Sequence, residues 1–422
     1  MMLDSSFLSL ISIVILNCIG SGLVVLPPRL SELGINCFYA WVGTGLGAFG
    51  IGMIFVILAE YYKKSKPNSE ISIHDLVSAP FSSAVGTFIR HANFWGYWLF
   101  AVTGNALLSL TILSAIEHFF PDLVQNYSML FHIMIFGIFY LINRFGIGMS
   151  RFVSLILCIV KIVIMIILPL AVFLFIDLPI PIKSEGYSLS QVIKGMFITL
   201  WPFVGIESII MEQQIDYKML RPAMIWGILI CLLTYILNTY VMMTKLPDLA
   251  TSSSCYADLF SIILGPQSTV FAYLAIIMIV IGSLHGWTMT VSSTCASGGE
   301  IVPKYFRKTN EYGVYDRALL ASSILPVSII FIIKFILKND NVFNVILDAA
   351  TILCLLVYGS AIAAFGLIMV KNLHFMNIVY FTTALTYLGL AFIGSPLYLT
   401  LISIAVFIAL GFSGYMRISR EP

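Results

Sequence analysis

The 422-residue sequence predicts an all-α integral membrane protein in which twelve helices cross the bilayer and two are interrupted midway. Three observations carry this. The chain is 60% hydrophobic and only 10% charged, with a mean hydropathy of +1.00, whereas soluble domains carry roughly 25% charged residues. Apolar runs of about 20 residues recur along it, the length a helix needs to cross the hydrocarbon, while barrel strands need only ~10 alternating residues. Two of those runs hold glycine and proline at their centres, at matching places in what read as two halves: ILNCIGSGLVVLPP over 15–28 and FITLWPFVGIES over 197–208.

Polar, Pro and Gly clusters separate the spans at 6–30, 37–61, 92–119, 128–145, 151–176, 192–212, 222–244, 267–296, 318–337, 342–370, 375–394 and 396–416. The last two are divided only by Gly394, Ser395 and Pro396, which predicts a tight hairpin. The stretch 62–91 reads as a short interfacial helix and loop. With the N-terminus inside, fifteen of the 22 Lys and Arg fall in loops on that side and six on the other, with Lys161 inside a span. This bias predicts that both termini are cytoplasmic.

The N-terminus lacks a basic region ahead of its apolar run, so no cleavable signal peptide is expected. Seven cysteines lie mostly inside spans without CxxC or metal spacing, and read as small apolar packing residues. Cys37 and Cys255 are the two expected to face outward. No cofactor, metal site or nucleic-acid partner is expected, and no nucleophile–base constellation points to an enzyme. The lipid bilayer and a small-molecule substrate are the expected partners.

Lipid supplies no water to a freed backbone group, so a broken helix persists where its opened N–H and C=O groups bind something. A matched pair of breaks points to a transporter's substrate site. Charges inside spans cost ~2.5–3.5 kcal/mol each and so face a cavity or a partner. Glu207, two residues after Gly205, reads either as a proton-exchanging group or as a carboxyl bracing the broken helix. Lys161 sits ten residues into its span, and reads equally as a coupling group or as a tie between helices. Glu60, Glu117 and Asp348 lie near span ends, where water can reach them. His285 reads first as an interhelical hydrogen-bonding residue. Trp201 adjoins one break and Trp287 a glycine deep in its span, so that both could face a cationic ligand. Asn105 is a buried amide that needs partners, from protein or substrate.

Four motifs in order, at 20–27, 96–105, 199–208 and 286–288, carry a resemblance. The chain resembles the amino acid–polyamine–organocation (APC) superfamily, most closely the basic amino acid/polyamine antiporters that include arginine–agmatine exchangers. The resemblance implies a LeuT-type fold of two inverted five-helix repeats, over 1–176 and 192–370, with helices 11 and 12 (375–416) outside the core. It implies that Gly20, Ser21 and Gly22 hold a substrate carboxylate through their N–H groups, and that carbonyls around Phe203 and Val204 take its amino group. Trp201 then covers the aliphatic stem and, with Tyr97 and Tyr358, gates the site. Trp287 and Asn105 contact the side-chain end, and Glu207 senses protons. His285, Ala350 and Leu108 depart from the family pattern at that end of the pocket. Lys161 resembles the lysine that stands in for sodium in proton-coupled relatives. Pro121 to Tyr127 has no cysteine, so a disulfide-linked heavy chain is not expected, while a homodimer is compatible with the family.

These readings give an antiporter exchanging a basic amino acid of the arginine, lysine or ornithine class for a related amine or amino acid, in a bacterial inner membrane. The alternative is a proton-coupled amino acid symporter that uses Lys161. A transport-silent receptor or structural subunit is a remote third.

Overall fold

In the computed structural model, residues 5–66, 71–146, 156, 159–177, 182, 186–211, 217–252, 254–339, 341–371 and 373–418 are described. Arg151, Cys158, Lys183 and Arg420, which entered the sequence reading, lie outside them. The described residues form helices and loops, with no strand among them.

The first span is divided into α1 (Ser5–Cys18), α2 (Ser21–Val25) and α3 (Pro27–Ser31). After it come α4 (Asn36–Ser65), a short α5 (Ile73–Ser78), α6 (Ser83–Glu117), α7 (Pro121–Arg144) and α8 (Ile159–Phe175). The second half opens with α9 (Leu189–Ile198), followed by 3-10 turns at Trp201–Phe203 and Ile206–Met211. It continues with α10 (Tyr217–Lys245), α11 (Cys255–Leu264), α12 (Thr269–Ser297), α13 (Asp316–Phe331) and α14 (Val342–Lys371). The chain closes with α15 (Phe375–Gly394) and α16 (Leu397–Ile418). Among the described residues nine helical stretches are long and apolar enough to cross a membrane, α8 and α11 are shorter apolar helices, and α16 is apolar over Leu397–Ser413.

The centre is built from α4 and α6, whose apolar windows are 72% buried, while α7 is only 17% buried and lies at the periphery. Without an aqueous hydrophobic drive, helices in lipid associate through close packing, and small residues permit it. Along α4, Gly45 faces Leu232, Gly47 faces Tyr387 and Gly52 faces Met224, each so close that a Cβ would collide. These three glycines let α10 and α15 pack directly on the α4 backbone.

Several boundaries differ from expectation for local reasons. The helix expected from 92 begins at Ser83, because the polar turns up to Arg90 continue it past the apolar run. The helix expected from 128 begins at Pro121, a residue suited to a first turn, and bends at Tyr127 (φ −126°, ψ 27°). α5 supplies the short helix expected after the second span. α11 was not anticipated, although Ser254 accepts a hydrogen bond from Ala257 N as its N-cap and Gly265 (φ +85°) ends it. Cys37 and Cys255 do not face outward: both are buried free thiols, with Cys37 Sγ 3.5 Å from Met243 Sδ.

Candidate functional site

Both interruptions lie where glycine and proline placed them. At the first, α1 ends at Cys18, Gly20 is extended (φ −162°, ψ −138°), and α2 restarts at Ser21. The first-turn N–H groups of α2 have no acceptor within their helix, and that end carries partial positive charge. A Cβ on Gly20 would meet nothing within 4 Å, so the backbone borders open space. A Cβ on Gly22 would lie 2.8 Å from Pro202 Cγ and 3.2 Å from Trp201 Cδ1, so only glycine lets the two interruptions touch.

At the second, α9 ends at Ile198, Trp201–Phe203 makes one 3-10 turn, Val204 is extended and Gly205 takes φ +106°. That φ strains any residue with a Cβ. Neighbouring helices meet the freed carbonyls. Met196 O accepts from Thr44 Oγ1 (3.3 Å) and Tyr387 OH (3.1 Å), Pro202 O from Tyr235 OH (2.7 Å), and Phe203 O from the Cys18 thiol (3.9 Å). Asn17 Nδ2 donates to Ser208 Oγ (2.6 Å), which in turn donates to Gly205 O (2.6 Å). The two broken helices are thereby fastened side by side.

Glu207 is 0% exposed at this junction. Its Oε2 accepts from Tyr358 OH (2.7 Å) and Gly205 N (3.2 Å), and its Oε1 from Tyr97 OH (3.4 Å). One carboxylate therefore joins α6, α14 and the second break. An ionised carboxylate accepts every one of these bonds, whereas a protonated one adds a hydrogen that needs an acceptor, a role a tyrosine hydroxyl takes by turning its lone pair to Glu207. Protonation and the hold on both tyrosines are thus linked by geometry.

The other predicted residues group on α6. Trp201 lies against Gly104, with Cη2 3.4 Å from where a Cβ would be. Phe100, which the sequence reading did not single out, makes edge contacts with Trp201 (6.1 Å between centroids) and Trp287 (6.2 Å). Its position three residues after Tyr97 and four before Gly104 was the available signal, since residues at helical spacing share a face. Asn105 is 1% exposed, and neither Oδ1 nor Nδ2 has a hydrogen-bond partner among the described residues. His285 stands apart: its ring lies 6.3 Å from Phe139 of α7. Two residues from Trp287, it is turned by about 200° around α12.

Lys161 is buried in α8. Just beyond it α8 widens into a π turn over Val163–Ile167, where Asn238 Nδ2 donates to Met165 O (2.8 Å). Such turns in a helix frequently sit at functional sites. Two of the acids expected near water are in ion pairs. Arg29 holds Asp348 Oδ1 through both terminal nitrogens (3.1 Å each), and Arg221 grips Glu60 in a two-point bond (2.9 and 2.7 Å).

An all-helical membrane chain with two fastened, broken helices and a buried acid at their junction has the architecture of a LeuT-type secondary transporter, not of an enzyme. An amino acid permease family model matches residues 6–416, and the chain belongs to that family, within the APC superfamily. It is 26% identical over 399 residues to the arginine/agmatine antiporter of Chlamydia abortus (strain DSM 27085 / S26/3), covering 88% of this chain and 79% of the relative. To the arginine/agmatine antiporter of Chlamydia trachomatis serovar D it is 25% identical over 379 residues, covering 83% and 75%. The crystal structure of the Eremococcus coleocola manganese transporter in complex with an aromatic bis-isothiourea substituted compound shares the fold. Its TM-score is 0.54 at 13% identity, covering 97% of this chain and 92% of that one.

Proposed function

We propose that this protein is an alternating-access antiporter that exchanges a basic amino acid for a related amine or amino acid, as the names of its relatives suggest. The observation that carries the reading is the junction itself: two broken helices bound to each other, with Tyr97 and Tyr358 held on one buried carboxylate. In this reading Gly20, Ser21 and Gly22 offer backbone N–H groups to the substrate carboxylate, and Phe203 and Val204 offer carbonyls to its amino group. Trp201 closes over the aliphatic stem. Trp287 and Asn105 receive the side-chain end, where the unpartnered amide awaits a polar group. Glu207 couples protonation to release of the two tyrosines.

The repeats run over 1–176 and 192–370, with 375–416 outside them. In support, a short helix follows the second span of each proposed half, α5 in one and α11 in the other. Both termini then face the cytoplasm of a bacterial inner membrane, and α5 lies on that side. In proteoliposomes, labelled arginine, lysine or ornithine should enter only vesicles preloaded with a counter-substrate. Equal uptake into empty vesicles would remove the exchange mechanism.

A second reading, proton-coupled symport, draws on the buried Lys161. It expects a pH gradient to drive net uptake into empty vesicles and Lys161→Ala to abolish that response. Normal proton-driven uptake by Lys161→Ala would dismiss it.

A further inference from the structure

A second enclosure of about 520 Å³ lies away from the junction. Small-molecule sites span ~300–1,000 Å³. It is walled by the C-terminal turns of α6, the N-terminal turns of α7 and the loop before α11, together with α12, α13 and the start of α14. α5 packs at the opposite, N-terminal end of α6, so the enclosure opens at the other mouth of the bundle. Val24 and Pro28 of the first broken span also line it, which brings it within two turns of Gly20.

Among its described lining residues Lys334 is the one lysine or arginine. Lys334, part-buried in the π turn that ends α13, donates to Ser128 Oγ (2.9 Å). An ammonium has three donors, and a neutral hydroxyl takes one without balancing the charge. Among the described residues no carboxylate lies within 4.0 Å of Lys334. Glu117 lines the same space from an exposed position. His132, 2% exposed and bonded to Ser109 Oγ (2.7 Å), lines the same space. A partly desolvated ammonium without a counter-charge, lining a chamber of ligand size, calls for an anionic group.

We propose that this chamber is a carboxylate-binding antechamber, in which Lys334 takes the carboxylate of an incoming amino acid before it reaches the helix breaks. The inference rests on the transport reading, and it adds a site that acts from one face of the membrane only.

Acylation of Lys334 by an amine-reactive ester on the purified full chain, followed by mass spectrometry, reads the chamber directly. Acetate and N-acetylarginine, whose amine cannot consume the ester, should slow the labelling, whereas N-acetylagmatine, which lacks the carboxylate, and chloride should not. Protection by N-acetylagmatine or chloride equal to that by acetate would overturn carboxylate recognition, as would no protection by any of them. In oriented proteoliposomes, Lys334→Gln should raise KM about 10-fold for substrate presented at the chamber face, the loss expected for one charge-assisted hydrogen bond. KM at the other face should stay unchanged, and Lys334→Arg should recover most of the loss. A rise at both faces, or at neither, would overturn the antechamber. Absence of exchange by the unmodified protein would instead remove the transport reading, with the labelling arm still deciding whether the chamber holds carboxylates.

Discussion

Asn105 and Glu207 are both buried polar groups, but they stand in opposite conditions. The Asn105 amide has no partner among the described residues, and leaving a buried donor and acceptor unpaired costs about 1–3 kcal/mol. Asn105→Leu, similar in shape and apolar, should therefore raise the thermal unfolding temperature of the ligand-free protein while weakening substrate binding. Thermal shift and calorimetry on one preparation test both signs, and a destabilised Leu variant would contradict the geometry. Glu207 is fully partnered, so its removal strands two tyrosine hydroxyls and an N–H. Glu207→Gln keeps an acceptor but cannot take up a proton. It should fold normally and flatten the pH profile of exchange, and a profile matching the unmodified protein would exclude Glu207 as the coupling group.

At the scale of an element, α5 shows how a six-residue helix, too short to be stable alone, is held in place. Ser72 caps it by accepting from Asp75 N (3.3 Å), and Arg90 of α6 donates to Asp75. His74 is buried edge-on against Phe94 of α6 (5.2 Å). Burial pushes the His74 imidazole down to about 4, although Asp75 pulls the other way. Burial also works to raise Asp75, but His74, Ser72 and Arg90 together hold it below the ordinary carboxylate value. The folded protein thus keeps His74 neutral while the unfolded chain protonates it near 6.5. The stability this contributes is whole above pH 6.5 and drains away as pH falls towards 4. Susceptibility of α5 to proteolysis should increase as pH falls over that window, and amide-exchange protection corrected for the intrinsic rate should decrease, and His74→Phe should suppress both changes. An identical acid response in His74→Phe would show that another group is responsible.

Across the whole molecule, three ion pairs among the described residues join segments far apart in sequence, one of them Arg144 of α7 with Asp316 of α13 (3.7 Å). Arg29 and Asp348, 319 positions apart, link the first broken span to α14. Arg221 and Glu60, 161 positions apart, link α10 to α4. The Arg29 and Asp348 side chains are 21% and 13% exposed, so each relies on the other for charge balance. Arg29→Met or Asp348→Leu alone strands a part-buried charge and should cost about 1–3 kcal/mol, less than the ~3–5 kcal/mol of full burial. The double variant should recover most of that loss in thermal unfolding. Additive losses would show that the two residues act independently.

The membrane class, the positions of both interruptions and the presence of α5 were legible in the residues, because hydropathy and the backbone effects of glycine and proline act locally. Trp201 and Glu207 were also singled out from sequence by their place at the second break, Tyr97 through a family motif that preserves local spacing, and Tyr358 through a looser likeness outside those motifs. Phe100 was passed over because a phenylalanine in an apolar helix looks the same whether it packs on lipid or on two indoles. His285 and Trp287, two residues apart, looked like one feature until the helix turned them to different neighbours. Sequence by itself thus determined that two helices must break and where. Which groups answer the opened backbone, such as Tyr235 on Pro202 O and Cys18 on Phe203 O, was decided by the tertiary structure. A break is written in the dihedral limits of a few adjacent residues. Its satisfaction depends on side chains that only packing can bring within hydrogen-bond reach.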